Sequence, residues 1–147
     1  MADNKSVLFV CLGNICRSPA AEGICRKIAP SLMCDSAGTG PWHVGEAPDD
    51  RSQKVCRKHS IDISSHQGRQ VTKQDWKKFS VIAALDPQIF NSLQSSKPSE
   101  AKASLVLFND PSGIDDPYYG SQSGFDSMYD KIESIMPVFL RENKLIE

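Results

Sequence analysis

Hydrophobic residues along the chain fall into short apolar runs that alternate with longer segments of helical spacing. The run at residues 5–12 is rich in strand-forming residues and stops at Gly13. Such a run is typical of a strand buried on both faces of a sheet. Further short strands are predicted at residues 33–37, 80–85 and 104–108.

Five helices are predicted between and after these strands. Their expected ranges are residues 18–28, 48–59, a short segment that opens with a capping box at 72–75, 86–96 and 125–143. Pro19 and Pro87 suit the first turn of a helix, and Asp86 suits an N-cap. The last helix has apolar residues at helical spacing, and Pro137 within it is expected to produce a kink.

The alternation of strands and helices favours a parallel sheet with helices on both faces and right-handed crossovers. We expect one α/β domain that spans residues 1–147. One connection is unusual, because residues 109–123 form a long run of turn-forming residues after the fourth strand. Loops of this length in a compact domain are usually functional or disordered, and the adjacent Tyr118 and Tyr119 argue against disorder. This loop follows a strand, at the sheet edge where such folds bind ligands.

The charge balance narrows the classes of partner. The 147 residues include 17 Lys and Arg against 18 Asp and Glu, for a net charge of -1. This balance excludes a generally basic nucleic-acid binder and is compatible with a local anion pocket. No apolar run approaches the length of a membrane span, so stable membrane insertion is not expected.

The cysteines predict a reducing, cytoplasmic environment, because their odd number and the absence of a recognisable secretion signal favour free thiols. They are Cys11, Cys16, Cys25, Cys34 and Cys56. None belongs to a C-x-x-C pair, and the three histidines lack zinc-ligand spacing. No metal site is therefore predicted.

The segment between the first strand and the first helix carries the strongest chemical signal. Cys11 and Arg17 are separated by five residues, a spacing expected by chance roughly 0.2 times in this composition and therefore weak alone. The segment also leaves a buried strand, contains Gly13 and enters a helix. Its backbone N–H groups and the helix dipole predict a cradle for an anion, to which Arg17 adds a forked pair of donors.

Cys11 lies at the base of this predicted cradle. A helix N-terminus and a nearby arginine favour the thiolate, which is the nucleophilic form of cysteine, and Ser18 is placed to donate a hydrogen bond to the sulfur. Considered alone, Cys11 would be one more buried cysteine and Arg17 a surface residue. The surrounding cradle favours the nucleophile.

A thiolate that displaces a leaving group needs an acid to protonate that group. The long loop supplies three aspartates, Asp110, Asp115 and Asp116. The rings of Tyr118 and Tyr119 would favour a protonated carboxyl beside them, whereas an ordinary loop aspartate is a solvated turn former. These residues alone do not choose between Asp115 and Asp116.

Two separated motifs and three shorter ones form a recognisable set. They are C-L-G-N-I-C-R-S-P at residues 11–19 and D-P-Y-Y-G at 116–120, with D-S-A-G-T at 35–39, W-H-V-G at 42–45 and S-H-Q-G-R-Q at 65–70. Together they resemble the low-molecular-weight protein tyrosine phosphatase family. The resemblance implies a four-stranded parallel sheet in the flavodoxin-like order 2-1-3-4. It also implies hydrolysis of phosphotyrosine and aryl phosphates, an acid phosphatase activity, through a phosphocysteine intermediate and without metal or cofactor.

Carried over residue by residue, the resemblance implies Cys11 as the nucleophile, Arg17 as the phosphate-binding arginine and Asp116 as the general acid and base. Ser18 matches the serine that stabilises the thiolate. The loop whose amides face phosphate consists of Leu12, Gly13, Asn14, Ile15 and Cys16. The implied partners are phosphotyrosine proteins or peptides, inorganic phosphate and oxyanion inhibitors.

Other matched positions lie around this centre. Ser36 and His66 match groups that hold the loop through Asn14. Asp86 is expected to cap a helix, and it matches a residue that supports the site from behind. Many relatives have a methionine before this aspartate and no proline after it, whereas this chain has Leu85 and Pro87. The remaining matches are Tyr118 and Tyr119 in the aromatic wall of the substrate cleft and Trp42 at a rim that varies within the family.

Alternatives to phosphotyrosine hydrolysis follow from the same motifs. Arsenate reduction uses further cysteines near the third strand, and this chain has none after Cys56. A non-catalytic phosphate-binding module would not need both a nucleophile and an acid. Phosphoarginine stays open as a second substrate. Because Cys16 shares the loop with Cys11, we also predict reversible peroxide inactivation through a disulfide between them.

Overall fold

Four parallel strands form the central sheet of the computed structural model, which describes residues 5–147. The strands span Ser6–Cys11 (β1), Met33–Gly38 (β2), Val81–Ala84 (β3) and Ser104–Leu107 (β4). Their order is β2-β1-β3-β4, and each neighbouring pair is parallel. The predicted flavodoxin-like order is therefore confirmed.

Within the described residues, five helices connect and follow the strands. They span Arg17–Ile28 (α1), Asp50–Lys58 (α2), Lys73–Lys78 (α3), Pro87–Ser96 (α4) and Gln122–Glu142 (α5). Helix α5 begins at Gln122 rather than at the predicted Phe125, which shortens the preceding loop, and it continues past Pro137. None of these helices is long and apolar enough to cross a lipid bilayer.

Carboxylate side chains determine where two of the helices begin. Asp86 Oδ1 accepts a hydrogen bond from the N–H of Ile89 at 2.8 Å, and Pro87 occupies the first turn of α4. Asp75 Oδ2 accepts one from the N–H of Thr72 at 2.7 Å, as expected in a capping box. Each bond satisfies a backbone donor that the helix itself leaves unpaired.

Apolar side chains pack on both faces of the sheet. Successive residues of a strand point to opposite faces, so Val7 and Phe9 join the layer formed with α1, α2 and α5. Leu8 and Val10 join the other layer, which contains residues of α3 and α4. These four side chains of β1 are fully buried, as predicted for a strand covered on both sides.

The loop after β4 returns to the edge of the sheet where β1 and β3 end. The N–H of Ile114 donates to the carbonyl of Leu85 at 2.7 Å, just beyond β3. Gly113 has a φ of +72°, and a Cβ there would lie 2.6 Å from the Cα of Asp86. Only glycine permits this conformation at such close range. The loop residues that follow are thereby brought beside Cys11, the last residue of β1.

Two β-branched residues of α5 test this account of the core. Ile132 is fully buried, whereas Val138 is 46% exposed. Ile132→Ala should lower the free energy of unfolding by about 2–5 kcal/mol, because the truncation leaves a cavity. Val138→Ala should change it by less than about 0.5 kcal/mol. Urea denaturation followed by circular dichroism measures both values, and equal losses would contradict the packing described here.

Candidate active site

Residues 12–17, here called the anion loop, connect β1 to α1 and are held from outside through their carbonyl groups. Four carbonyls at or beside the loop accept hydrogen bonds of 2.8–3.0 Å from neighbouring segments. The pairs are Cys11 with Thr39 N–H, Leu12 with Gly40 N–H, Ile15 with Asp49 N–H and Cys16 with the hydroxyl of Ser52.

These carbonyl contacts decide the direction of the loop's N–H groups. A trans peptide unit is planar, and its N–H points away from its C=O. Because the carbonyls of Cys11, Leu12, Ile15 and Cys16 point outward, the N–H groups of the residues that follow them point to the inner side of the loop. The N-terminus of α1 adds its positive dipole there. The inner side of the loop is thus suited to an anion.

Asn14 holds the middle of the anion loop in an unusual conformation. Its φ of +60° lies in the left-handed region, which asparagine tolerates better than most residues. Its side-chain Oδ1 accepts the backbone N–H of Arg69 at 3.0 Å. Since that N–H is an unambiguous donor, the contact fixes which end of the amide is oxygen. His66 Nε2, at 2.9 Å from the same oxygen, must then be the protonated ring nitrogen.

The other end of the Asn14 amide is connected to Cys11 through Ser18. Its Nδ2 donates to the hydroxyls of Ser18 at 2.8 Å and Ser36 at 3.1 Å. Ser18 Oγ lies 2.9 Å from the sulfur of Cys11. The Ser18 hydrogen has two acceptors within reach, the sulfur of Cys11 and the carbonyl of Ala37 at 3.5 Å. When it points at the sulfur, the bond stabilises a thiolate. Four side chains thus form a continuous chain from Ser36 to Cys11.

Gly38, at the end of β2, allows the anion loop to lie against the sheet. A Cβ at this position would be 2.8 Å from the carbonyl oxygen of Leu12 and 3.1 Å from the nitrogen of Asn14. Both neighbours are backbone atoms and have little freedom to move. The D-S-A-G-T motif therefore contains a glycine that is required by the close approach of two backbones.

Arg17 is buried at the far end of the loop with a side-chain exposure of only 3%. Its Nη1 donates to Asp86 Oδ2 at 2.7 Å and to the carbonyl of Ile114 at 2.9 Å. Its Nη2 lies 3.5 Å from Asp116 Oδ2. Asp86 therefore contacts the site as well as capping α4, despite the departure of its segment from many relatives.

One donor of the Arg17 guanidinium has no protein partner. Among the side chains described in residues 5–147, Arg17 Nε is the only buried nitrogen or oxygen without a hydrogen bond. Burial acts to lower the pKa of Arg17, but the negative groups that face it and the hydrogen bond to Asp86 outweigh burial and raise this pKa. Arg17 is thus held beside the loop as a cation, and its Nε–H has no partner in the protein.

A cavity of about 320 Å³ opens above the anion loop. Of the three loop aspartates, Asp116 lines this cavity together with Cys11 and Arg17, while Asp110 lies in a separate groove beside α5. Asp116 Oδ1 accepts the N–H of Tyr118 at 3.1 Å, which leaves Oδ2 on the side of Arg17. The structure thus brings together the three residues that the resemblance implies as catalytic.

Aromatic side chains form the upper walls of the cavity. Tyr118 and Tyr119 pack edge to face with 5.0 Å between ring centroids. Trp42 and Tyr119 are 65% and 93% exposed, so both present apolar surface to solvent at the rim. His43, which the sequence did not single out, also lines the cavity, and its ring lies so close to Gly13 that a Cβ there would approach His43 Cδ2 to 2.9 Å.

The second cysteine of the loop differs from Cys11 in its surroundings. Burial, reinforced by the charge of Asp49, raises the pKa of the Cys16 thiol, so this group stays protonated at neutral pH. All five cysteines are free thiols in the structure.

Three side chains behind the loop are close enough together to suggest a metal site. Ligand atoms of Glu22, Asp35 and His66 lie within 4.8 Å of one another. Both oxygens of Glu22 accept hydrogen bonds, from Ser36 and Arg26. Both oxygens of Asp35 do so as well, from Ser36 and Arg69. The cluster is thus an internally satisfied network that supports Ser36 and His66, and these two contact Asn14 rather than the cavity.

Comparisons with known proteins agree with this geometry. The family model described as low molecular weight phosphotyrosine protein phosphatase matches residues 6–145. A protein of that name from Schizosaccharomyces pombe is 37% identical, with 96% of this chain and 98% of the relative aligned.

Solved structures give the same result. A protein tyrosine phosphatase from Entamoeba histolytica, with Hepes in its active site, has a TM-score of 0.85 and 34% identity over 95% of this chain and 99% of its own. An arginine phosphatase from drosophila has a TM-score of 0.86 and 31% identity over 94% and 97%. The chain therefore belongs to the low molecular weight phosphotyrosine protein phosphatase family of hydrolases.

Proposed function

We propose that the chain acts as a single phosphatase domain that hydrolyses phosphotyrosine in proteins and peptides, and aryl phosphates, through a phosphocysteine intermediate. The observation that carries this proposal is the buried, unpartnered Nε of Arg17, next to a loop whose N–H groups face inward. A tetrahedral oxyanion satisfies both sets of donors at once. No metal is needed, because the charge is neutralised by the guanidinium and the amide dipoles.

In the first step, Cys11 acts as the nucleophile. Its sulfur attacks phosphorus in line with the tyrosine oxygen, an S–P bond forms, and the P–O bond to the aryl group breaks. Asp116 gives its proton to the departing oxygen, so that a neutral phenol leaves. The anion-loop amides and Arg17 stabilise the negative charge on the three equatorial oxygens.

In the second step, Asp116 acts as a base. Its carboxylate takes a proton from a water molecule, whose oxygen attacks phosphorus. The S–P bond breaks, inorganic phosphate forms, and Cys11 leaves as the thiolate. The hydrogen bond from Ser18 makes that thiolate a better leaving group, because it stabilises charge on sulfur.

The aromatic walls support an aryl substrate. Tyr118 lies at the cavity beside Asp116, where a ring bound between the walls would keep its oxygen near the carboxyl. The drosophila relative is an arginine phosphatase, so phosphoarginine belongs in the same substrate panel. Turnover of matched phosphotyrosine and phosphoarginine peptides tests the proposal. A chain that binds phosphopeptides without turnover would be a binding module instead.

Replacement of the nucleophile is the most direct test. Cys11→Ser should abolish hydrolysis of p-nitrophenyl phosphate while inorganic phosphate still binds, because the loop amides and Arg17 remain. Isothermal titration with phosphate and a steady-state assay measure the two properties. Cys34→Ser, a cysteine substitution in β2, is the control and should retain activity. Full hydrolysis by Cys11→Ser would show that another group attacks phosphorus.

The acid is tested with leaving groups of different quality. Asp116→Ala should lower kcat/KM for phenyl phosphate by roughly 10²–10⁴-fold, because phenolate needs a proton in order to leave. The loss on p-nitrophenyl phosphate should be smaller, since the nitro group stabilises the departing anion. Asp115→Ala removes the adjacent aspartate and should have little effect. Equal losses in the two variants would leave Asp116 without the proposed role.

We also propose that oxidation inactivates the protein reversibly. Hydrogen peroxide would oxidise the Cys11 thiolate to a sulfenic acid, and the Cys16 thiol would then displace water to form a disulfide. Activity should fall with peroxide and return with dithiothreitol. In Cys16→Ser, recovery should be slower and incomplete, because the sulfenic acid proceeds to irreversible products. Rapid, complete recovery in this variant would argue against the disulfide.

A further inference from the structure

Arg51, in the first turn of α2, lies between Asp49, which contacts the anion loop, and the segment that follows Asp116. Its Nε and Nη2 form a two-point contact with the carboxylate of Asp49, at 3.0 and 2.9 Å. Its Nη1 and Nη2 also donate to the carbonyls of Gly120 at 2.8 Å and Tyr118 at 3.0 Å. The guanidinium lies 4.4 Å from the ring centroid of Phe125, at the start of α5.

Asp49 connects this arginine to the anion loop. The N–H of Asp49 donates to the carbonyl of Ile15 at 2.8 Å, and Ser52, in the same turn of α2 as Arg51, donates to the carbonyl of Cys16. The start of α2 is therefore fixed to the anion loop through backbone acceptors. Arg51 extends from this fixed point to the segment that follows Asp116.

The segment at residues 117–120 receives its long-range hydrogen bonds from this arginine. Its other hydrogen bonds are local, from the N–H of Tyr118 to Asp116 and from the N–H of Gly120 to the carbonyl of Pro117. Within the part of the chain that the structure describes, Arg51 provides the only hydrogen bonds that reach this segment from another element. Local turns determine its shape. Its position relative to Cys11 is set before Asp116 by the contact of Ile114 with Leu85, and after Asp116 by the two hydrogen bonds from Arg51.

We propose that Arg51 is a positioning residue that places Asp116 for proton transfer to the leaving group. The proposal rests on the acid role of Asp116 proposed above. Arg51 spans one carboxylate and two carbonyls with a rigid fork of donors, which lysine cannot reproduce with a single ammonium. A displacement of about 1 Å in a reacting group can cost roughly 10²-fold in rate, so the position of the 117–120 segment matters for the chemistry.

The experiment is a double-mutant cycle between Arg51→Ala and Asp116→Ala. Arg51→Ala alone should lower kcat/KM for phenyl phosphate by about 10–100-fold and that for p-nitrophenyl phosphate by less than about threefold. In the Asp116→Ala background, the same substitution should cost almost nothing, because the group it positions is absent. The inhibition constant of inorganic phosphate should stay within about threefold of the wild-type value, since the anion loop is intact.

Two further variants complete the test. Arg57→Ala removes an exposed arginine from the same helix and should leave kcat/KM for both substrates unchanged. Arg51→Lys keeps the charge and should restore part of the loss on phenyl phosphate, and it replaces Arg51→Ala in the cycle if that variant is unfolded.

Each outcome decides the question. Equal losses from Arg51→Ala in both backgrounds, or equal losses on both substrates, would overturn the positioning role and indicate general destabilisation. If Asp116→Ala itself has no effect on phenyl phosphate, the proposed acid fails, which is distinguishable because it requires no Arg51 variant. A cost of Arg51→Ala confined to the chain with Asp116 and to the poorer leaving group would support the inference.

Discussion

The side-chain amide of Asn14 donates hydrogen bonds to helix α1 and strand β2 and accepts them from the segment before α3. The rest of the site depends on these contacts. They hold a left-handed residue in the middle of the anion loop, between the outward-facing carbonyls of Leu12 and Ile15. The same amide donates to the hydroxyl of Ser18, whose oxygen lies 2.9 Å from the sulfur of Cys11. The shape of the anion loop and the contact between Ser18 and Cys11 therefore share one physical origin.

Much of this architecture could be predicted from short-range features of the sequence. The continuous apolar run of β1, the alternation of elements and the capping residues Asp86 and Asp75 predict the four strands and five helices and their parallel order. The strand–glycine–helix transition at Gly13 predicts a loop for anions. Such features depend on neighbouring residues, which is why a single sequence reveals them. The predicted start of helix α5 was three residues too late. Its first turn, at Gln122, is polar, so the apolar spacing that reveals the rest of the helix is absent there.

Contacts between residues far apart in sequence could not be predicted from such short-range features. The choice of Asp116 over Asp115 came from the family resemblance, and the structure adds that Asp116 lines the cavity with Cys11. The sequence around Arg51 does not indicate that its side chain reaches the 117–120 segment. The sequence around Gly38 does not indicate that the anion loop packs against its backbone. Both functions arise only when segments far apart in sequence approach within a few ångströms. The orphaned Nε of Arg17 is likewise visible only after the guanidinium has been enclosed.

The placement of β1 in the interior of the sheet has a consequence for folding. This strand is made first, yet its last residue faces a loop that follows β4, the strand at the far edge. Cys11 and Asp116 meet only after the loop beyond β4 has folded back onto the end of β1. The cavity that both residues line is therefore built by contacts between segments far apart in sequence, which form more slowly than local ones during folding.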